Sequence, residues 1–232
     1  MTKRLQTLGV VLAVIGLGFL AGAGVAFAKV QAGYDSLHAF SAAQNVELTY
    51  NADGQLADDT GSTKEATAIM SLLKDDWKYP VVTSDLNPND PVVNTASEYM
   101  YQMATITYHT ITRPQTVVLP EDVTADNGKV FKAGSYDFNP NGKYWTGYDR
   151  SNPIEAIARD QAWSGTAHGL IGELGVGTVT HSALQMGLAI AGILAGLGLT
   201  IILAGMGLFW AGRAPAKTVA PIAPRIEEPV LV

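Results

Sequence analysis

From Leu8 to Ala28, and again from Ala183 to Ala211, the chain carries no ionisable side chain. In the first block every residue is apolar or glycine, and in the second only Gln185 and Thr200 interrupt the run. At ~1.5 Å per helical residue each block covers the ~30 Å hydrocarbon core of a bilayer. Backbone polar groups in lipid must be satisfied within the segment, so each block is expected to be a transmembrane helix. The remaining length then divides into a short start (1–7), a first span (8–28), a middle region (29–182), a second span (183–211) and a tail (212–232).

Orientation follows from the flanking cations. Lys3 and Arg4 precede the first block, while Arg213, Lys217 and Arg225 follow the second, so the positive-inside rule predicts cytoplasmic termini and an extracytoplasmic middle. Phe209 and Trp210 close the second block, where amphipathic rings favour the headgroup region. The start also has the form of a secretory signal, with Ala26-Phe27-Ala28 as a small-x-small cleavage site. Its apolar run exceeds the usual ~7–15 residues of such a signal, which favours an uncleaved anchor. Cleavage would leave the middle on the same side.

The middle contains no cysteine, so neither disulfides nor thiolate metal sites hold it together. Between Lys29 and Ser182 there are 19 acidic and 10 basic residues, a net of −9 with histidine neutral. That charge repels nucleic acid and anionic headgroups and argues against both as partners of the middle region.

Local patterns predict a small α+β domain there. The first apolar helix is expected to continue outward through Tyr34, Leu37, His38 and Ser41 as a stalk. Val46–Tyr50 alternates like a strand entering the turn Asn51-Ala52-Asp53-Gly54. Ser62-Thr63-Lys64-Glu65 has the form of a capping box opening a helix to about Trp77, with Ala66, Ile69, Met70 and Leu73 on one stripe. Asp90-Pro91 offers a cap and first-turn proline ahead of a second helix over Thr95–Thr110. Gln115–Leu119, stopped by Pro120, reads as a strand, and Asp126-Asn127-Gly128 before Val130-Phe131 and Ser135–Phe138 reads as hairpin chemistry. Asn152-Pro153-Ile154-Glu155 combines a cap, a first-turn proline and a reciprocal Glu, predicting a helix toward Trp163. The Gly-rich stretch Gly165–Gly177 is expected to carry the chain back, and the proline-rich tail from Ala214 is expected to be disordered.

Catalytic signatures are missing from this pattern. His38, His109, His168 and His181 have no metal-ligand spacing, and each reads as a surface or core hydrogen-bonding residue. Asp85-x-Asn87-x-Asn89 resembles the start of a calcium loop, but Pro88 lies inside it, Asp90 replaces the turn glycine and Ala96 replaces the bidentate Glu. Ser164-Gly165-Thr166 stands alone without a triad. The carboxylate pairs Asp58-Asp59, Asp75-Asp76 and Glu121-Asp122 read as solvated turn charges. No enzyme activity, cofactor or metal is expected, and spans without an ionisable residue argue against intrinsic transport.

Small residues dominate both spans. Gly18, Gly22 and Ala26 recur every four residues in the first, as do Gly187, Ala191 and Ala195, and also Gly192 and Gly196, in the second. Such stripes let helix backbones approach closely where lipid supplies no hydrophobic drive. They are read as helix-packing faces, the second span having one more than its partner needs. Trp77, Tyr79, Trp145 and Trp163 are either core anchors or interface hot spots of the outer domain.

At Met70–Pro80, at Asn87-Pro88-Asn89-Asp90-Pro91 and at Glu98–Met103 the sequence resembles a group of actinobacterial two-span membrane proteins. It is similar in plan to accessory subunits of the cytochrome bcc–aa3 respiratory supercomplex. The resemblance implies a non-catalytic accessory role in an integral membrane complex at the plasma membrane, structural because no Cys-x-x-Cys-His haem site is present. The alternative is an extracytoplasmic ligand-binding or sensing module anchored by the two helices.

Overall fold

The computed structural model describes residues 2–213; the expectation of a disordered tail, with Lys217 and Arg225, lies outside them. Two long apolar helices, α1 (Thr2–Gln44) and α5 (Gly165–Ala211), flank a small α+β region. Both are long and apolar enough to cross a membrane. The chain forms two compact units, one of the residues up to Phe27 with those from Ala189, the other Ala28–Leu188.

Within the second unit lie α2 (Thr63–Ser71), α3 (Ala96–Thr112), α4 (Pro153–Ala162) and four short strands. Strand β1 (Gln115–Leu119) pairs antiparallel with β4 (Gly134–Phe138), from Gln115 opposite Phe138 to Leu119 opposite Gly134. Between them, β2 (Val123–Thr124) and β3 (Val130–Phe131) form a nested hairpin. Its turn is the expected one: Asn127 Oδ1 accepts from the Lys129 amide, and Gly128 takes the positive φ that this turn requires. Leu73, Ala104, Val117 and Ala158 are wholly buried and tie the turn after α2, α3, β1 and α4 into one core.

Several helix ends differ from the expectation, each because a nearby group competes better. Ser62 caps α2 by accepting from the Lys64 amide, but Glu65 makes no reciprocal bond and turns instead to His109. The α-helix stops at Ser71 and a π turn (Leu72–Asp76) delivers the chain to Trp77. Asp90-Pro91 does not open α3; the capping box is Thr95 with Glu98. Residues 91–93 are instead extended, with Leu48 N–H donating to Pro91 O and Val93 N–H to Val46 O. Val46–Tyr50 accordingly forms isolated bridges, Glu47 with Val92 and Tyr50 with Leu56, in place of a strand. Asn152 caps α4 as expected, but the Glu155 carboxylate accepts from Asp149 N–H and Lys143.

The Gly-rich stretch is helical throughout. Each interior glycine costs a helix about 1 kcal/mol relative to alanine, and packing offsets part of that here. A Cβ on Gly177 would sit 2.7 Å from the Tyr99 ring, and one on Gly175 would touch Met103. Ser164 begins the helix as its cap, its hydroxyl accepting from Ala167 N–H, which gives Ser164-Gly165-Thr166 a structural role.

Candidate functional site

In the first unit the buried positions of α1 are Gly9, Gly16 and Ala23, and those of α5 are Ala191, Gly198 and Gly205. Both sets recur every seven residues, the spacing of a left-handed helix pair. Contact is backbone to backbone: a Cβ on Gly9 would lie 2.5 Å from Gly205 O, and one on Gly16 would lie 2.6 Å from Gly198 O. The helices therefore meet through glycines that the four-residue reading passed over. Of the residues singled out by that reading, Ala191 lies in the seam and Ala26 and Ala195 border it half-buried. Gly187, in the second unit, faces Val30. Gly18, Gly22, Gly192 and Gly196 do not join this contact; all are exposed, and among the described residues no atom lies within 4 Å of a Cβ placed on them.

A second concentration of candidates lies in the Ala28–Leu188 unit. Trp77 Nε1 donates to the Tyr144 hydroxyl at 2.8 Å. The Tyr144 ring lies 5.8 Å from Trp163, Trp163 5.7 Å from His168, and His168 meets Trp145 edge-on at 5.1 Å. Arg159 completes the chain with its guanidinium 4.2 Å above Trp145, while Nε and Nη2 pair with Asp160 and buried Nη1 has no hydrogen-bond partner among the described residues. Thus three of the four expected aromatics gather in one place. Trp163 is buried, Trp77 and Trp145 are half-buried, and Tyr144 is exposed. Tyr79 does not join them and packs against the core. Tyr144 and Arg159 had no sequence signal, and His168 was read only as a hydrogen-bonding residue, because the π turn, a loop and two helices bring them together.

Two of the cavities on this unit are lined by α3. One, of about 270 Å³, is polar, with Glu47, Asp59, Glu65, His109 and Arg113 around Tyr101. Glu65 contacts His109 and has Arg113 Nη2 at 4.0 Å, so its charge is shared. Burial and the nearby Glu65 charge push the Tyr101 hydroxyl up to about 12, which keeps it a neutral donor. The other, of about 290 Å³, is mostly apolar and lies among α1, α3 and α5.

The remaining polar candidates have local duties. Asp58 Oδ1 accepts from the Thr60 hydroxyl and the Thr60 and Ser62 amides, which holds its carboxyl below the usual range. Asp122 pairs with Lys132, and Asp75 accepts from Ser71. Asn87 Oδ1 closes a turn on Asn89 N–H, next to the 3-10 turn Thr83–Asp85. His38 and His181 flank the Tyr34 ring. Among the described residues no three His, Asp or Glu side chains converge as a metal site. No known protein family, curated protein or solved structure matches this chain.

Proposed function

We propose that this chain is a two-span plasma-membrane protein, with cytoplasmic termini and residues 29–182 outside, acting as a non-catalytic accessory subunit of a larger membrane complex. The span reading is supported by exposure: only 11% of each apolar window is buried. A core helix of a soluble protein hides such a surface, whereas Leu8, Val14, Leu17, Ile193 and Leu203 all stand open here.

The observation that carries the accessory role is the pair of open glycine faces. Gly9, Gly16, Gly198 and Gly205 serve the internal contact, which leaves Gly18 with Gly22 and Gly192 with Gly196 free for other helices. Neither apolar block offers an ionisable group for transport chemistry. The aromatic chain from Trp77 to Arg159 has the residue types of an interface hot spot and would serve the outer contact. The resemblance makes the cytochrome bcc–aa3 supercomplex the first partner to test.

The experiment is a mild-detergent pull-down of tagged full-length protein with mass spectrometry of what accompanies it. Wild type is expected to bring down a stoichiometric membrane complex. Gly192→Leu with Gly196→Leu should release it while membrane insertion persists. Unchanged co-purification, or recovery of the protein alone from wild type, overturns the reading.

A further inference from the structure

Independently of the accessory role, we infer that the apolar cavity among α1, α3 and α5 binds a single alkyl or isoprenoid chain carrying an uncharged head. Its volume of about 290 Å³ lies at the lower end of the ~300–1,000 Å³ typical of ligand pockets. That suits one slender chain and excludes a two-chain lipid.

The floor is dry by construction. Ser41 and Tyr99, both buried, are hydrogen-bonded to each other at 2.6 Å, and the Ser41 hydroxyl also reaches Leu37 O at 3.0 Å. With these hydroxyls engaged on each other, the floor holds water poorly, and Val93 and Leu174 complete it. At the rim the fold leaves large apolar side chains in water: Phe40 is 47% exposed, Leu170 43% and Val46 36%. Three such residues around a concavity are what an apolar ligand would cover.

The polar part of the lining selects the head. Among the described residues Glu173 is the lining's only ionisable group apart from the Tyr99 phenol, and the lining has no cationic side chain, so a fatty-acid carboxylate or a phosphate would be repelled. Gln44 and Gln102 place amides there that both donate and accept, which fits an alcohol, ester or ketone. A docked protein side chain is the rival occupant, and the test separates the two.

Full-length protein is irradiated with diazirine-bearing hexadecanol, and with the matching palmitic acid, and the labelled peptides are mapped. One arm supplies the probe in phosphatidylcholine vesicles, the other to lipid-free protein in amphipol. The neutral probe is expected to label residues 40–46 and 170–174, more strongly than the acid does. Labelling in both arms identifies a free apolar compound as sufficient, and labelling in vesicles alone identifies a bilayer lipid. Ile106→Trp, which fills the cavity, and Leu170→Trp, a rim change that leaves the core intact, should each reduce that labelling at least about tenfold, equivalent to ~1.4 kcal/mol. Labelling confined to 8–28 and 183–211, or unaffected by both variants, overturns the inference. So does an unlabelled cavity whose Leu170→Trp variant sheds a co-purified protein, which would assign the site to a protein partner.

Discussion

Gly16 and Gly18 are two residues apart in one helix, yet alanine at each should move stability in opposite directions. A Cβ on Gly16 would stand 2.6 Å from both Gly198 O and Ile202 Cγ1, and 3.0 Å from Ile202 N. Two of these three atoms are backbone, so α5 must retreat by about 0.8 Å to restore an ordinary 3.4 Å contact. A gap of that size forfeits roughly a quarter to a half of each neighbouring dispersion contact. Overpacking of this kind costs about 1–3 kcal/mol, against ~1 kcal/mol gained from alanine's helix propensity. The net expectation for Gly16→Ala is a loss of up to about 2 kcal/mol, and for Gly18→Ala, which meets none of the described residues within 4 Å, a gain of up to ~1 kcal/mol. Because the chain has no cysteine, Lys3→Cys and Arg213→Cys can carry a dye pair that reports separation of the helix ends. SDS titration of the full-length protein in mild micelles should lower the midpoint for Gly16→Ala and hold or raise it for Gly18→Ala. Equal shifts of the same sign would refute the assignment of the seam.

Other changes in the Ala28–Leu188 unit have signs fixed by their surroundings. Burial raises the Glu98 carboxyl above its ordinary 4.5, although hydrogen bonds from Asn94 N–H, Thr95 N–H and the Thr95 hydroxyl pull it down. A raised folded-state value means that stability held below 4.5 is lost as pH rises through the raised value. Glu98→Gln should therefore gain melting temperature relative to wild type between pH 4 and pH 7, and a pH-independent difference would contradict this. Tyr99→Phe removes a buried hydrogen bond to Ser41 and should cost about 1 kcal/mol in thermal unfolding; an unchanged melting temperature would show that bond to be dispensable. Trp145→Ala removes the face beneath Arg159 and should cost ~1–2 kcal/mol in the isolated full-length protein. A loss of partner binding with no loss of stability would instead mark Trp145 as an interface residue only.

Local chemistry was legible in the sequence where the deciding groups were neighbours in it. The Asn127-Gly128 turn, the Asn152 cap and the Gln115–Leu119 strand need only adjacent residues to specify them, and they stand where expected. Glu65 and Glu155 broke the rule for a physical reason. A carboxylate at the third helical position can satisfy the cap or meet a more distant side chain, and His109 and Lys143 become available only after folding. The same holds for the aromatic chain, since Trp77 and Tyr144 are separated by 67 residues. The apolar cavity had no signature at all, because Phe40, Ile106 and Leu170 belong to three helices whose contact is tertiary.

The two glycine spacings on each apolar helix differ in the packing geometry they support. A stripe repeating every seven residues averages 3.5 per turn, just under the helical 3.6, and follows a left-handed partner. A stripe repeating every four drifts the other way and suits the right-handed crossing of Gly-x-x-x-Gly pairs. On α1 the seven-residue set is Gly9, Gly16 and Ala23, and its members meet or border α5. The four-residue set Gly18 and Gly22 lies on exposed surface, as Gly192 and Gly196 do on α5. One helix cannot satisfy both spacings with one neighbour, because the two stripes point to different sides. If the open pairs merely reflected a taste for small residues, leucine at Gly18 and Gly22 would change nothing but helix propensity. If they meet further helices, that double substitution should weaken recovery of the complex while the Lys3 to Arg213 dye distance stays as in wild type.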